Sequence, residues 1–117
     1  MGTTAHYGIM VTGWNKLEVE EAREKAVECF KGAHTLSDMT RMVGAPVPSP
    51  VNGYKTFVIY PDCGKRGWPD ADAAAACRAS FLNWLKADQR DAGCSLTWCH
   101  VVFGNDGGVS PTMLEHG

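Results

Sequence analysis

Tyr54-Lys55-Thr56-Phe57-Val58-Ile59-Tyr60, then Pro61-Asp62-Cys63-Gly64-Lys65-Arg66-Gly67-Trp68-Pro69, then an alanine-rich run to Leu85, is the stretch whose reading decides the fold. Its opening residues are β-branched and aromatic, the composition of a strand, with Phe57, Ile59 and the terminal Tyr60 as candidates for burial. Gly64, Gly67, Pro61, Pro69 and the turn-former Asp62 then stop the strand and turn the chain. A helix is predicted next. Asp70 or Asp72 caps it, because a carboxylate accepts from the unpaired amides of the first turn and favours the positive end of the helix dipole. Ala74, Cys77, Phe81, Trp84 and Leu85 recur at helical spacing and form one apolar stripe, which needs a sheet to lie on.

Upstream, residues 6–12 alternate so that Tyr7, Ile9 and Val11 share one face, and Gly13 ends this first strand. Asn15 with Glu18 resembles a capping box, residues 16–31 are rich in helix formers, and Gly32 is placed to stop them. Val19, Ala22, Ala26, Cys29 and Phe30 make the apolar side of this helix, and Glu20, Glu21, Glu24 and Glu28 gather opposite. Residues 33–51 suit either a short helical turn starting near Ser37 or the beginning of a strand. Pro46, Pro48 and Pro50 cannot donate to a ladder, so any strand there lies at a sheet edge. Asn52-Gly53 is a two-residue hairpin signal that folds this edge strand back on residues 54–60. Residues 95–103 read as a last strand, with Leu96, Trp98, His100 and Val102 pointing one way.

Strand, helix, strand, strand, helix, strand is the order of the split βαβ arrangement. The expected fold class is therefore α+β: a ferredoxin-like βαββαβ sandwich, with a four-stranded antiparallel sheet in order 4-1-3-2 and two helices on one face. Residues 1–104 form the single domain, and the glycine-rich turn after Phe103 opens a flexible C-terminal tail, 105–117.

Composition narrows the function classes. A chain of 117 residues, 44% of them hydrophobic, fills one core without disulfides or a metal. A formal charge of −2 makes no field that attracts a phosphate backbone, so nucleic acid is not an expected partner. Five cysteines, an odd number at irregular spacings, match a reducing compartment, and the expected location is cytoplasmic. No basic-then-apolar leader and no apolar run of the ~20 residues that a span requires is visible, so neither export nor membrane insertion is expected.

Residues able to carry chemistry are few. Cys94, Cys99 and His100 have zinc-ligand chemistry without zinc-ligand spacing, and no metal site is expected. No Walker or dinucleotide fingerprint is present, and no cofactor is expected. Cys63, beside Lys65 and Arg66 and near a helix start, has surroundings that lower a thiol pKa, although no base can be assigned to it. Trp68 reads either as an anchor for a partner or as a staple packed on the helix it precedes. Glu20, Glu21, Glu24 and Glu28 read either as a surface for a basic partner or as a solvated face paired with Arg23, Lys25 and Lys31.

Asn52-Gly53-Tyr54, the loop Pro61-Asp62-Cys63-Gly64-Lys65-Arg66-Gly67-Trp68 and the alanine-rich helix ending in Phe81-Leu82-Asn83-Trp84-Leu85 together resemble small, mostly uncharacterised proteins of tailed phages and prophages. Cys63-Gly64 stands where that pattern has Gly-Ser. The resemblance implies a phage protein working in the bacterial host cytoplasm. With one small domain and no convergent catalytic set, the leading expectation is a non-enzymatic accessory protein. It would bind a bacterial host protein and inhibit or redirect it, a defence system such as CRISPR being one such target. Its candidate partner-binding residues are Asp62, Lys65, Arg66 and Trp68 with the ridge Glu20, Glu21, Glu24 and Glu28. Two alternatives stay open: a small enzyme of the same fold using Cys63 or His100, and a self-associating structural or assembly protein, a homodimer in its simplest form.

Overall fold

The computed structural model describes residues 5–32, 38–64, 67–88, 96–104 and 112–117. Along the chain lie β1 (His6–Gly13), α1 (Lys16–Lys31), a 3-10 turn (Met39–Met42), β2 (Val47–Pro48), β3 (Lys55–Ile59), α2 (Pro69–Asp88), β4 (Thr97–Phe103) and β5 (Thr112–His116). The strands form one antiparallel sheet in the order β2-β3-β1-β4-β5.

Residues directly opposed in an antiparallel ladder share a face. Ile9 opposes Ile59 and His100, and Val11 opposes Phe57 and Trp98. Ile9, Val11, Phe57, Ile59 and Trp98 belong to one buried cluster with Val19, Ala22 and Phe30 of α1 and Ala74, Phe81 and Leu85 of α2. Both helices therefore lie on this face of the sheet. The period-two pattern of β1 and β4 and the helical stripes meet here, and Phe81 fills the centre, its ring 6.2 Å from Phe57 and 6.0 Å from Trp84.

Local chemistry accounts for the ends of the elements. Asn15 Oδ1 accepts from the amides of Leu17 and Glu18, which caps α1 where the sequence places it. Asp38 caps the 3-10 turn through the Thr40 amide, and Val43 then bridges to Ile59, so the ambiguous segment holds a helical turn followed by an isolated bridge. Ser37 lies outside the described residues. The prolines leave only Val47 and Pro48 as an edge strand.

Four expectations are corrected. The sheet has five strands, because Thr112–His116, inside the stretch read as a tail, pairs with β4; residues 105–111 lie outside the described ones. β4 would otherwise present an unpaired edge, and Trp98 and Gly117 extend the new pairing by exchanging backbone hydrogen bonds of 2.9 and 3.0 Å. The β2–β3 connection is not a two-residue turn at Asn52-Gly53. Ser49 donates to the Tyr54 carbonyl, and the side chains of Ser49 and Asn52 organise a longer loop by accepting from Val51, Asn52 and Tyr54 amides. Tyr60 is exposed beyond the end of β3, where its amide bonds the Met42 carbonyl. Finally, α2 begins at Pro69, whose missing N–H costs nothing at a first helical position; Asp70 and Asp72 sit inside the first turn and favour the dipole there.

Phe81→Ala is expected to lower the unfolding free energy by about 3–5 kcal/mol, and Asn15→Ala by about 1 kcal/mol, read by urea denaturation at neutral pH.

Candidate functional site: a groove between the second helix and the sheet

The alternation of β1 and β4 and the 3.6-residue turn of α2 converge on a groove of about 1070 Å³. Its sheet side carries Tyr7, His100, Val102 and Glu115. From α2 come Ala71, Ala75, Ala79, Leu82 and Lys86, which fall on one stripe at steps of three and four, with Arg78 beside them. The loop before α2 closes one end with Asp62, Gly64 and Trp68. β5, which supplies Glu115, widens the sheet past α2, and the groove occupies that margin.

Arg78 is the strongest feature of the wall. It is only 7% exposed, yet carries a permanent charge. Its Nη1 donates to Asp62 Oδ1 at 2.8 Å, and its guanidinium lies over the Tyr7 ring, 5.3 Å from the centroid. Asp62 Oδ2 in turn accepts from the Gly64 amide at 3.1 Å, which ties the loop to the helix. Glycine is required at 64, since a Cβ there would stand 2.8 Å from that carboxylate oxygen and 2.9 Å from the Ala71 Cβ.

A second cluster lies further along. The Lys86 ammonium bonds Glu115 Oε2, and His100 Nδ1 is 3.5 Å from Glu115 Oε1. The hydrogen bond from Lys86 is the main reason the Glu115 carboxyl is held below its ordinary range, with His100 adding to it. Burial pushes the His100 imidazole below its usual value, and the nearby cations Arg78 and Lys86 add to the effect, while Glu115 opposes it. His100 is thus neutral at pH 7. Its contact with Glu115 is too long and poorly aligned for a hydrogen bond, and both ring nitrogens are buried without a hydrogen-bond partner among the described residues.

The sequence candidates separate here. Asp62 is in the site but turned inward to Arg78. Trp68 stands at the rim of the groove, 54% exposed. Lys65 and Arg66 lie outside the described residues. Glu20, Glu21, Glu24 and Glu28 are on α1 and do not line the groove; Glu20 pairs with Lys16 at 3.9 Å and Glu28 with Lys25 at 3.7 Å, while Arg23 donates to the Gly44 carbonyl. Sequence spacing pairs Glu20 with Arg23, Glu21 with Lys25 and Glu28 with Lys31; Arg23 instead reaches off the helix, and Glu28 meets Lys25. Cys63 is exposed with φ of 60°, its thiol against the Pro61 carbonyl, and is not part of the groove wall. His100 lines the groove and Cys99 points to the opposite face, whereas Cys94 is outside the described residues. Burial raises the thiol pKa of Cys29 and of Cys77, as befits small apolar groups.

Tyr7, Arg78, Lys86 and Glu115 are site residues that the sequence reading did not single out. One signal was available for Arg78, which is the sole charged residue between Asp72 and Lys86 and sits next to the buried Cys77. Nothing local marks Glu115. No family model matches the chain, and neither a curated protein nor a solved structure is significantly similar to it.

Asp62→Ala, which leaves a buried guanidinium without its partner, is expected to destabilise the fold by about 3 kcal/mol. Asp62→Ala combined with Arg78→Met is expected to recover most of that loss in a thermal or urea melt. Because the native state binds the His100 proton less readily than the unfolded chain, its contribution to stability is complete above the ordinary value of 6.5 and is lost as pH falls below it. Glu115 adds a second loss as pH drops below 4.5. Unfolding free energy should therefore decline from pH 7 to 5, and His100→Gln should flatten that slope.

Proposed function

We propose that this chain is a small phage-type accessory protein whose α+β fold is a ferredoxin-like sandwich extended by one strand. It acts by binding a bacterial host protein in the cytoplasm, and so inhibits or redirects it. The observation that carries the binding reading is the groove with Trp68 exposed at its mouth. Tryptophan is among the residue types that most often dominate the energy of an interface once a partner covers them. Two pairs of wall charges are coupled to one another, Arg78 to Asp62 and Lys86 to Glu115, and beside the polar Asp72 and Asn83 the lining offers alanine, leucine, valine and aromatic surface to a ligand. That surface suits an apolar protein segment anchored against Trp68, with a polar group reaching the unpartnered His100. A groove of this kind is the usual form of a ligand site.

A second reading, a small enzyme, is favoured by one observation. His100 lies on the groove wall with the Glu115 carboxylate 3.5 Å from its Nδ1, the residue types of a general base and its orienting acid, and that contact would have to shorten to a hydrogen bond for the role. Cys63 has no comparable support.

The test is retention of a host protein from bacterial lysate by the tagged chain, compared with Trp68→Ala and with Ala75→Arg, which fills the groove from an exposed position. Each folded variant is expected to weaken binding by about 2 kcal/mol or more, roughly 30-fold. A partner held equally by wild type and both variants would show that the groove is not the binding surface. Turnover of a small molecule that disappears in His100→Gln would decide for the enzyme.

A further inference from the structure

The face of the sheet turned away from the helices has a composition unlike the rest of the protein. Met10 opposes Val58 and Cys99, Val101 opposes Gly8 and Met113, and Phe103 opposes His6, so all of these share that face. Met10 is 50%, Phe103 42% and Met113 58% exposed, and no described helix covers them. Among the described strand positions on this face, none is Asp, Glu, Lys or Arg, in a chain with 21% charged residues. An antiparallel sheet with a solvated face ordinarily alternates to charged and polar residues there. An exposed, largely apolar sheet face whose polar residues are threonines and two histidines, His6 and His116, without a carboxylate, lysine or arginine, is the composition of an interface core.

The geometry points to a second copy of this chain as the occupant. We propose that two protomers pack these faces together, sheet on sheet, in an isologous dimer. The absence of charge is itself the argument for self-association. A nucleic acid or an anionic membrane surface would find no cation to hold it, and a charged partner would find nothing to pair with. An uncharged apolar face is complementary to its own copy without like-charge repulsion. The size reaches the lower end of what a specific interface needs. Five strands, two residues long in β2 and seven in β4, make a face of at most roughly 20 by 24 Å at ordinary strand spacing and rise. Two such faces together remove at most roughly 1,000 Å² from water, the threshold for a specific interface. Packed sheets sit about 10 Å apart, which accommodates interdigitated methionine and phenylalanine side chains. The groove lies on the other face, so the inference is independent of the groove reading, and both grooves stay open in the dimer.

Sedimentation and light scattering from about 1 to about 200 µM test it, a range that brackets a micromolar dissociation constant. The expected mass at high concentration is twice the 12.7 kDa protomer. Met10→Lys and Phe103→Glu, each checked for native circular dichroism, are expected to raise the dissociation constant at least 100-fold. Wild type needs no substitution for a second readout: on dilution the methyl resonances of Met10 and Met113 should shift while that of the core residue Met39 stays fixed. A wild-type monomer at the highest concentration, a dimer unaffected by both substitutions, or methyl signals at Met10 and Met113 independent of concentration would each overturn the proposal.

Discussion

A guanidinium almost wholly removed from water is costly unless its charge is matched and its donors are aimed, and Arg78 meets that demand through Asp62 and the face of Tyr7. The consequences spread beyond the pair. Asp62 belongs to the loop after β3, Arg78 to the middle of α2 and Tyr7 to β1, so one contact fixes the loop and the helix against the central strand. Gly64 can approach Ala71 closely only because it lacks a side chain, and the Asp62 carboxylate then closes the turn on the Gly64 amide. The groove keeps its shape because this corner is tied.

The fifth strand sets the other boundary. β5 satisfies the edge of β4 and places Glu115 within reach of Lys86 and His100, so a single short strand completes both the sheet and the polar end of the groove. A register irregularity between His100 and Val101 accompanies the pairing. The same extension gives the sheet two unequal surfaces. On one, two helices leave a margin that becomes the groove. On the other, no described helix packs, and the described strand positions carry no Asp, Glu, Lys or Arg. The binding reading and the dimer each take one of these surfaces, and neither requires the other.

Much of this architecture is legible in the residues themselves. Lys16–Lys31 is announced by Asn15 as a cap and by an apolar stripe at helical spacing, and the alternation of Tyr7, Ile9 and Val11 gives the inner face of β1. Phe57, Ile59 and Phe81 are core residues for the same reason, and the prolines restrict β2 to an edge. The site was far less legible. Asp62 and Trp68 could be picked from their loop, but their roles could not. Asp62 serves an inward partner, and Trp68 is displayed at a rim that exists only when the loop is folded onto α2.

By itself the sequence determined where the helices form, which strand faces are apolar and that one sheet with two helices is the economical arrangement, because periodicity and capping act within a few residues. Only the tertiary structure decided that Thr112–His116 joins the sheet, that Arg78 meets Asp62 sixteen residues away, and that His100, Glu115 and Lys86 share one wall. Those outcomes depend on register and on desolvation of charges brought together from distant parts of the chain. No local pattern encodes a contact whose energy exists only after both partners have left water.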